Sequence, residues 1–80
     1  MTANQIKNII QDCATLFEFE YQEIYGNIDP YFHGNNTFSF LLYFNGKEKT
    51  VYSINEVMNN PFINGKSLNE VAEFLNIYNT

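Results

Sequence analysis

The sequence TFSFLLYFNGKEKTVYS, residues 37 to 53, places the dipeptide Asn45-Gly46 between two runs of β-prone residues. Asn-Gly is typical of a two-residue hairpin loop, because both central positions of a type I′ turn need positive φ. A loop of this length fixes the register of the two strands. The predicted pairs are Phe44 with Lys47, Leu42 with Lys49, Phe40 with Val51 and Phe38 with Ser53.

The two faces of this hairpin differ in polarity. The Phe face is apolar at its base and charged at its tip. The opposite face is mixed and carries Ser39, Leu41, Tyr43, Glu48, Thr50 and Tyr52. We expect that face to be half covered or to contact a partner, with Leu41, Tyr43 and Tyr52 as its apolar interface residues.

The segment before the hairpin has an ambiguous period. Helical spacing could continue through Tyr21 and Ile24, but Phe17, Phe19 and Tyr21 alternate with polar residues as in a half-buried strand. Aromatic residues favour strands, and a helix would leave Phe19 on its polar side. We therefore predict a strand from Phe17 to Tyr25. Gly26 to Asn36, with two Gly, one Pro and four Asn or Asp, is predicted to be a loop.

Three helices complete the prediction. Thr2 to about Leu16 has apolar residues at helical spacing. Two capping boxes, Ser53 to Glu56 and Ser67 to Glu70, open two short C-terminal helices, the second with an apolar stripe that ends at Tyr78. Between them, Phe62 and Ile63 should plug the core. The predicted fold is a single α+β domain over residues 1–80. Its order is α-β-β-β-α-α, with a three-stranded antiparallel sheet.

Composition limits the classes of function. The chain has 80 residues, net charge −5, four scattered lysines and no arginine, so we expect no direct nucleic-acid binding. Eight Phe and six Tyr supply a core without disulfides. The single Cys13 is interpreted as a buried, inert thiol in a reducing compartment. No signal peptide or membrane span is recognised, and we expect a cytoplasmic protein.

The sequence offers little for catalysis. Glu18, Glu20 and Glu23 could serve as acid and base, but alternate strand residues lie roughly 6.5–7 Å apart on one face and are ordinarily solvated. His33 has no second His nearby, so a structural or solvent-facing loop residue is expected, not a metal ligand. The four glycines occupy separate turns and form no phosphate-binding loop. We expect neither an enzyme nor a cofactor.

The charge distribution is the remaining functional signal. From Asn8 to Gly46 the chain has five carboxylates and no Lys or Arg. The candidate partner-binding residues are Glu18, Glu20, Glu23 and Asp29. Such charges attract a cationic groove and repel nucleic acid. The alternative interpretation is an ordinary solvated strand face.

In size, acidity, Asn-rich composition and α-β-β-β-α-α order, with these four carboxylates ahead of the Asn45-Gly46 hairpin, the chain resembles small phage-encoded anti-CRISPR proteins. Those proteins occupy the DNA-binding groove of a Cas nuclease. The resemblance is one of architecture, and it implies an inhibitor that docks on a basic nucleic-acid-binding surface. The alternative is a structural or accessory homodimer that associates through a sheet edge or through the Leu41, Tyr43 and Tyr52 face.

The predicted turn leads to a stability test. Replacing Gly46 with Val should destabilise the fold by about 1–3 kcal/mol, because a β-branched residue is strained at positive φ. Thermal unfolding measures the effect. A melting temperature that does not change would show that the predicted hairpin register is wrong.

Overall fold

The computed structural model describes residues 1–12 and 15–78. Cys13 lies outside the described residues, so its burial stays a prediction. The helices are α1 (Ala3–Gln11), α2 (Ile54–Asn59), α3 (Leu68–Val71) and a 3-10 helix (Ala72–Phe74). The strands are β1 (Phe17–Tyr21), β2 (Ile24–Gly34), β3 (Thr37–Phe44), β4 (Lys47–Val51) and β5 (Asn76–Ile77).

The architecture is an antiparallel sheet with helices on one face. Five strands lie in the order β4-β3-β2-β1-β5, so the α+β class is confirmed and the predicted three-stranded sheet is wrong. One face of the sheet and all three α-helices share a single apolar core. The helices contribute Ile6, Ile10, Val57, Met58, Leu68 and Val71 to it.

The Asn45-Gly46 hairpin is confirmed. Asn45 has φ 51° and Gly46 φ 81°, as a type I′ turn requires. The three predicted pairs nearest the turn form in the predicted register. The fourth, Phe38 with Ser53, does not, because β4 ends at Val51 and the Ser53 hydroxyl caps α2 by accepting from the Glu56 N–H.

The strand prediction is correct only up to Tyr21. In β1 the three aromatic residues are buried and the two glutamates between them are half-buried. The strand ends there because Gln22 and Glu23 have φ of 50° and 68° and form a two-residue turn into β2. The predicted continuation to Tyr25 is therefore wrong, although Tyr25 is in the next strand.

The predicted loop from Gly26 to Asn36 is the largest error. Most of it belongs to β2, an 11-residue strand that pairs along its length with β3. Pro30 is tolerated because β1 begins opposite Ile28, so the sheet edge beside Pro30 is open and its missing N–H breaks no bond between β2 and β1. The turn itself is confined to Asn35 and Asn36, which both have positive φ.

Two helices are shorter than predicted. α1 ends at Gln11, well before Leu16, and begins at a capping box between Thr2 and Gln5 that the sequence analysis missed. The last predicted helix has its Ser67–Glu70 capping box but gives way to a 3-10 turn and β5. Its final residues instead pair with β1, and the Tyr78 N–H donates to the Glu18 carbonyl at 3.0 Å. Ile63 is fully buried and Phe62 packs on the core, as predicted.

Gly26 lies between aromatic residues of the two neighbouring strands. It pairs with Phe19 on one side and with Phe44 on the other. The two rings are parallel within 7°, with centroids 6.3 Å apart. An added Cβ on Gly26 would lie 2.5 Å from Phe19 Cζ and 2.9 Å from Phe44 Cδ1, so only glycine leaves room for both rings.

The Gly26→Ala variant should therefore lose about 1–3 kcal/mol of stability, since the new methyl group overpacks both rings. Chemical denaturation measures the loss. Asn27→Ala, at the neighbouring half-buried position, is the control; it removes only the exposed hydrogen bond from Asn27 to the Tyr25 hydroxyl and should cost about 1 kcal/mol or less. The cost of Gly26→Ala should also shrink in a Phe19→Leu background. Equal stability of wild type and Gly26→Ala would contradict this packing.

Candidate protein-binding face

None of the described helices packs on the second face of the sheet. Because successive strand residues point to opposite faces, burial of the Phe face places the alternate residues here. We call this surface the open face. It comprises Glu18, Glu20, Tyr25, Asn27, Asp29, Tyr31, Leu41, Tyr43, Glu48 and Thr50, with Tyr78 after β5. Every one of these residues is half-buried or exposed, whereas Ser39, which lies on the same face opposite Tyr31, is buried.

Tyrosine hydroxyls and carboxylates are paired across the open face. Tyr25 Oη donates to Glu18 Oε2 at 2.6 Å, and Tyr78 Oη donates to Glu20 Oε2 at 2.5 Å. Tyr31 Oη donates to Asp29 Oδ2 at 2.9 Å. These bonds join residues on different strands or two positions apart on one strand, so they restrict side chains that solvent would otherwise leave free.

Three of the tyrosine rings form a continuous group. The Tyr25 ring lies 6.2 Å from that of Tyr78, at an interplanar angle of 26°, and 6.2 Å from that of Tyr43, at 50°. We call Tyr78, Tyr25 and Tyr43 the tyrosine row. It runs across the strands from the β1 side of the sheet to β3. Its rings lie between the carboxylates and give the open face an apolar component.

The carboxylates change the acidity of their tyrosine partners. Hydrogen bonding to Glu18 raises the pKa of Tyr25, and hydrogen bonding to Asp29 raises that of Tyr31. Hydrogen bonding to Glu20 raises the pKa of Tyr78 in the same way. In each case the phenol donates to a negative group and resists losing its proton. The three tyrosines therefore remain neutral donors at physiological pH.

The lysines lie away from the open face, whereas carboxylates lie on both sides of the sheet. The open face carries Glu18, Glu20, Asp29 and Glu48. Lys47 and Lys49 stand opposite Phe44 and Leu42 and so share the helix-covered face. Lys7 is on α1, and Lys66 lies in the turn before α3. Among the described residues, no lysine belongs to the open face.

The predicted partner-binding residues are largely brought together. Glu18 and Glu20 lie on the open face as expected, and Asp29 joins them because its segment is a strand. Glu23 does not, since it is an exposed residue of the turn between β1 and β2. The sequence analysis missed Tyr25, Asn27, Tyr31 and Tyr78. Most of them could have been found from the two-residue period of this segment, in which Gly26, Ile28 and Pro30 alternate with Asn27, Asp29 and Tyr31.

The three residues of the predicted apolar interface lie on two different surfaces. Leu41 and Tyr43 are half-buried residues of the open face. Tyr52, 70% exposed, instead lines a cavity of about 490 Å³ together with Phe38 and Phe40 of the helix-covered face. The separation occurs because β4 ends at Val51, so the two-residue period of the strand no longer applies at Tyr52.

His33 lies in β2 and not in the predicted loop. Its Nε2 is 2.7 Å from the hydroxyl oxygen of Ser39, a buried residue of β3. Within residues 1–12 and 15–78, no three His, Cys, Asp or Glu side chains are grouped to hold a metal ion. In the same part of the chain, no helix has the length and apolar character needed to cross a membrane.

Comparison of the chain with protein-family models, with curated proteins and with solved structures found no match. The candidate site consequently depends on the geometry of the open face alone.

The tyrosine–carboxylate bonds predict an alkaline titration. Replacing Glu18 with Gln should lower the pKa of Tyr25 towards its ordinary value of 10.0. Because the folded pKa is raised, the stability from these bonds is present below pH 10 and is lost as pH rises through the folded values. Ring ¹³C shifts measured against pH report each tyrosine. Glu73→Gln, on the helical side, is the control, and identical Tyr25 titration in all three proteins would contradict the bond.

Proposed function

We propose that this chain is a small acidic interaction module whose open face docks on the basic nucleic-acid-binding surface of an enzyme and inhibits it. The observation that carries the proposal is the open face itself. It is the sheet surface on which none of the described helices packs, it has four carboxylates, and no described lysine belongs to it. An inhibitor of the anti-CRISPR type is the specific form of this function.

The spacing and the sign of the open-face charges both favour a phosphate-binding groove as the partner. Glu18 and Glu20 alternate on β1 and project from one face roughly 6.5–7 Å apart, a spacing similar to that of successive phosphates on one nucleic-acid strand. A groove that binds phosphates would therefore contact negative charges at the spacing of the phosphates that it normally binds. The same charges repel nucleic acid, so the module and the nucleic acid should compete for the groove.

The distribution of lysines supports a defined orientation. All four lysines of the chain lie outside the open face. A cationic groove consequently attracts the open face and is repelled locally near Lys47 and Lys49 on the other side of β4. Such an arrangement favours encounters in which the open face is turned towards the cationic groove, and this orientation increases the association rate.

The rival function is a homodimer, and the geometry gives it less support. At the β4 edge, Lys47, Glu48 and Lys49 are exposed, and charged residues of this kind discourage strand pairing. Along β2 the open edge contains Pro30, which has no N–H to donate. Face-to-face association through Leu41 and Tyr43 would bring two sets of carboxylates together. A partner of opposite charge avoids that repulsion.

The test compares two double variants with the same net charge. Glu18→Lys/Glu20→Lys reverses the open face, and Asp12→Lys/Glu73→Lys reverses two exposed carboxylates on the helical side. Replacing the exposed Asp12 and Glu73 should cost about 1 kcal/mol or less each in stability. Replacing the half-buried Glu18 and Glu20 should cost about 1–3 kcal/mol each, because each accepts a tyrosine hydroxyl, so circular dichroism must first show that this variant is folded. Binding to a panel of purified basic nucleic-acid enzymes, RNA-guided nucleases included, is measured at low and at physiological salt.

We expect at least one enzyme to bind wild type and the control variant, with affinity that falls at higher salt and with competition from DNA. The open-face variant should bind about tenfold more weakly or worse. Equal binding by both variants would contradict the proposal. Salt-insensitive self-association of wild type, without binding to any enzyme, would support the homodimer instead.

A further inference from the structure

We infer that the open face selects arginine over lysine in the surface on which it docks. The inference rests on the proposed function and deepens it by naming the side chain that the face recognises. It is carried by the tyrosine row together with Glu18 and Glu20, whose carboxylates accept from two of the hydroxyls of the row. Charge alone would accept either cation, but rings beside carboxylates distinguish between them.

The rings are accessible and held in place. Tyr25 is 38% exposed and Tyr78 is 52% exposed, although both rings also contact each other. Their hydroxyls are engaged by Glu18 and Glu20, so the polar end of each ring is already bonded within the chain. The π-faces are what such tyrosines offer to a partner. A binding group must therefore stack as well as carry positive charge.

Guanidinium meets both requirements. It is planar and weakly hydrated, stacks on aromatic rings, and presents five N–H donors in a fork that matches a carboxylate. The Glu20 carboxylate has about four acceptor positions, of which the Tyr78 hydroxyl uses one. An arginine lying on the Tyr78 ring can therefore also donate to Glu20. A lysine ammonium is compact and strongly hydrated, and its attraction to a ring does not include stacking.

The charge of the surrounding surface favours the same occupant. Within the described residues the open face contains no lysine that would compete for these carboxylates. Asp29 and Glu48 extend the negative charge along β2 and β4, on either side of β3. The partner chemistry that fits is thus an arginine-rich surface with several guanidinium groups spread over neighbouring strands, not a single buried cation.

The experiment uses the whole chain and two synthetic peptides of equal length and charge, one of alternating arginine and glycine and one of alternating lysine and glycine. Calorimetry at low salt measures both affinities. The arginine peptide should bind about two- to fivefold more tightly, the difference that stacking on exposed rings provides. Tyr25→Leu/Tyr78→Leu should abolish this preference, whereas Tyr25→Phe/Tyr78→Phe, which keeps both rings, should retain it.

Tyr52→Leu removes an exposed tyrosine far from the row and should leave the preference unchanged. Circular dichroism shows whether each variant is folded. If the Leu variant is unfolded, the Phe variant still tests the inference, because loss of the arginine preference in a folded protein that keeps both rings would contradict stacking. Equal, salt-sensitive binding of both peptides by wild type would overturn the arginine inference and leave the proposed function standing. Binding of neither peptide at low salt would contradict the proposed function as well.

Discussion

The packing of Phe19 and Phe44 over Gly26 fixes the relation between the three central strands. Gly26 pairs directly with both residues, and no larger side chain fits beneath the two rings. A shift of either neighbouring strand by one residue would bring Glu18 or Tyr43 to this position and turn the entire strand over. The stacked rings therefore determine which residues enter the core and which residues form the open face.

This constraint separates the two kinds of aromatic residue. Most Phe residues lie on the helix-covered face, where Phe17, Phe19, Phe40 and Phe44 are buried. Most Tyr residues lie on the open face, where carboxylates accept hydrogen bonds from the hydroxyls of Tyr25, Tyr31 and Tyr78. Tyrosine suits such a position because its ring is apolar and its hydroxyl needs a partner. The same ladder of backbone bonds thus supports a stable core on one side and a polar, ring-rich surface on the other.

The sequence was sufficient to predict the structure wherever a single local rule determines it. The Asn45-Gly46 turn, the alternation in β1 and the capping box of α3 form as predicted. In α2 only half of the predicted capping box forms, because Ser53 accepts from the Glu56 N–H but the Glu56 carboxylate accepts from the Tyr52 N–H instead of from that of Ser53. Prediction failed in β2 because glycine and proline were taken as loop residues. Gly26 is required by ring packing, and Pro30 is permitted by an open edge, neither of which is visible before the neighbouring strands are placed.

A similar non-local cause limited the prediction of the site. Glu18 and Glu20 could be assigned to one face from their spacing in β1. Tyr25 and Tyr31 could not be added, because β2 was not recognised as a strand. Tyr78 has helical spacing from Leu75, but the short β5 joins the sheet beside β1 and brings Tyr78 to the open face. Its role depends on a contact with Glu20, 58 positions earlier in the chain.

The central claim is that the open face is the binding surface. Amide chemical-shift mapping of the ¹⁵N-labelled chain, titrated with a basic nucleic-acid enzyme that binds it, tests this claim most directly. Perturbed amides should cluster at Glu18, Tyr25, Tyr43 and Tyr78, while those of α2 and α3 should not shift. Perturbations centred on those helices, or on the cavity beside Tyr52, would contradict it.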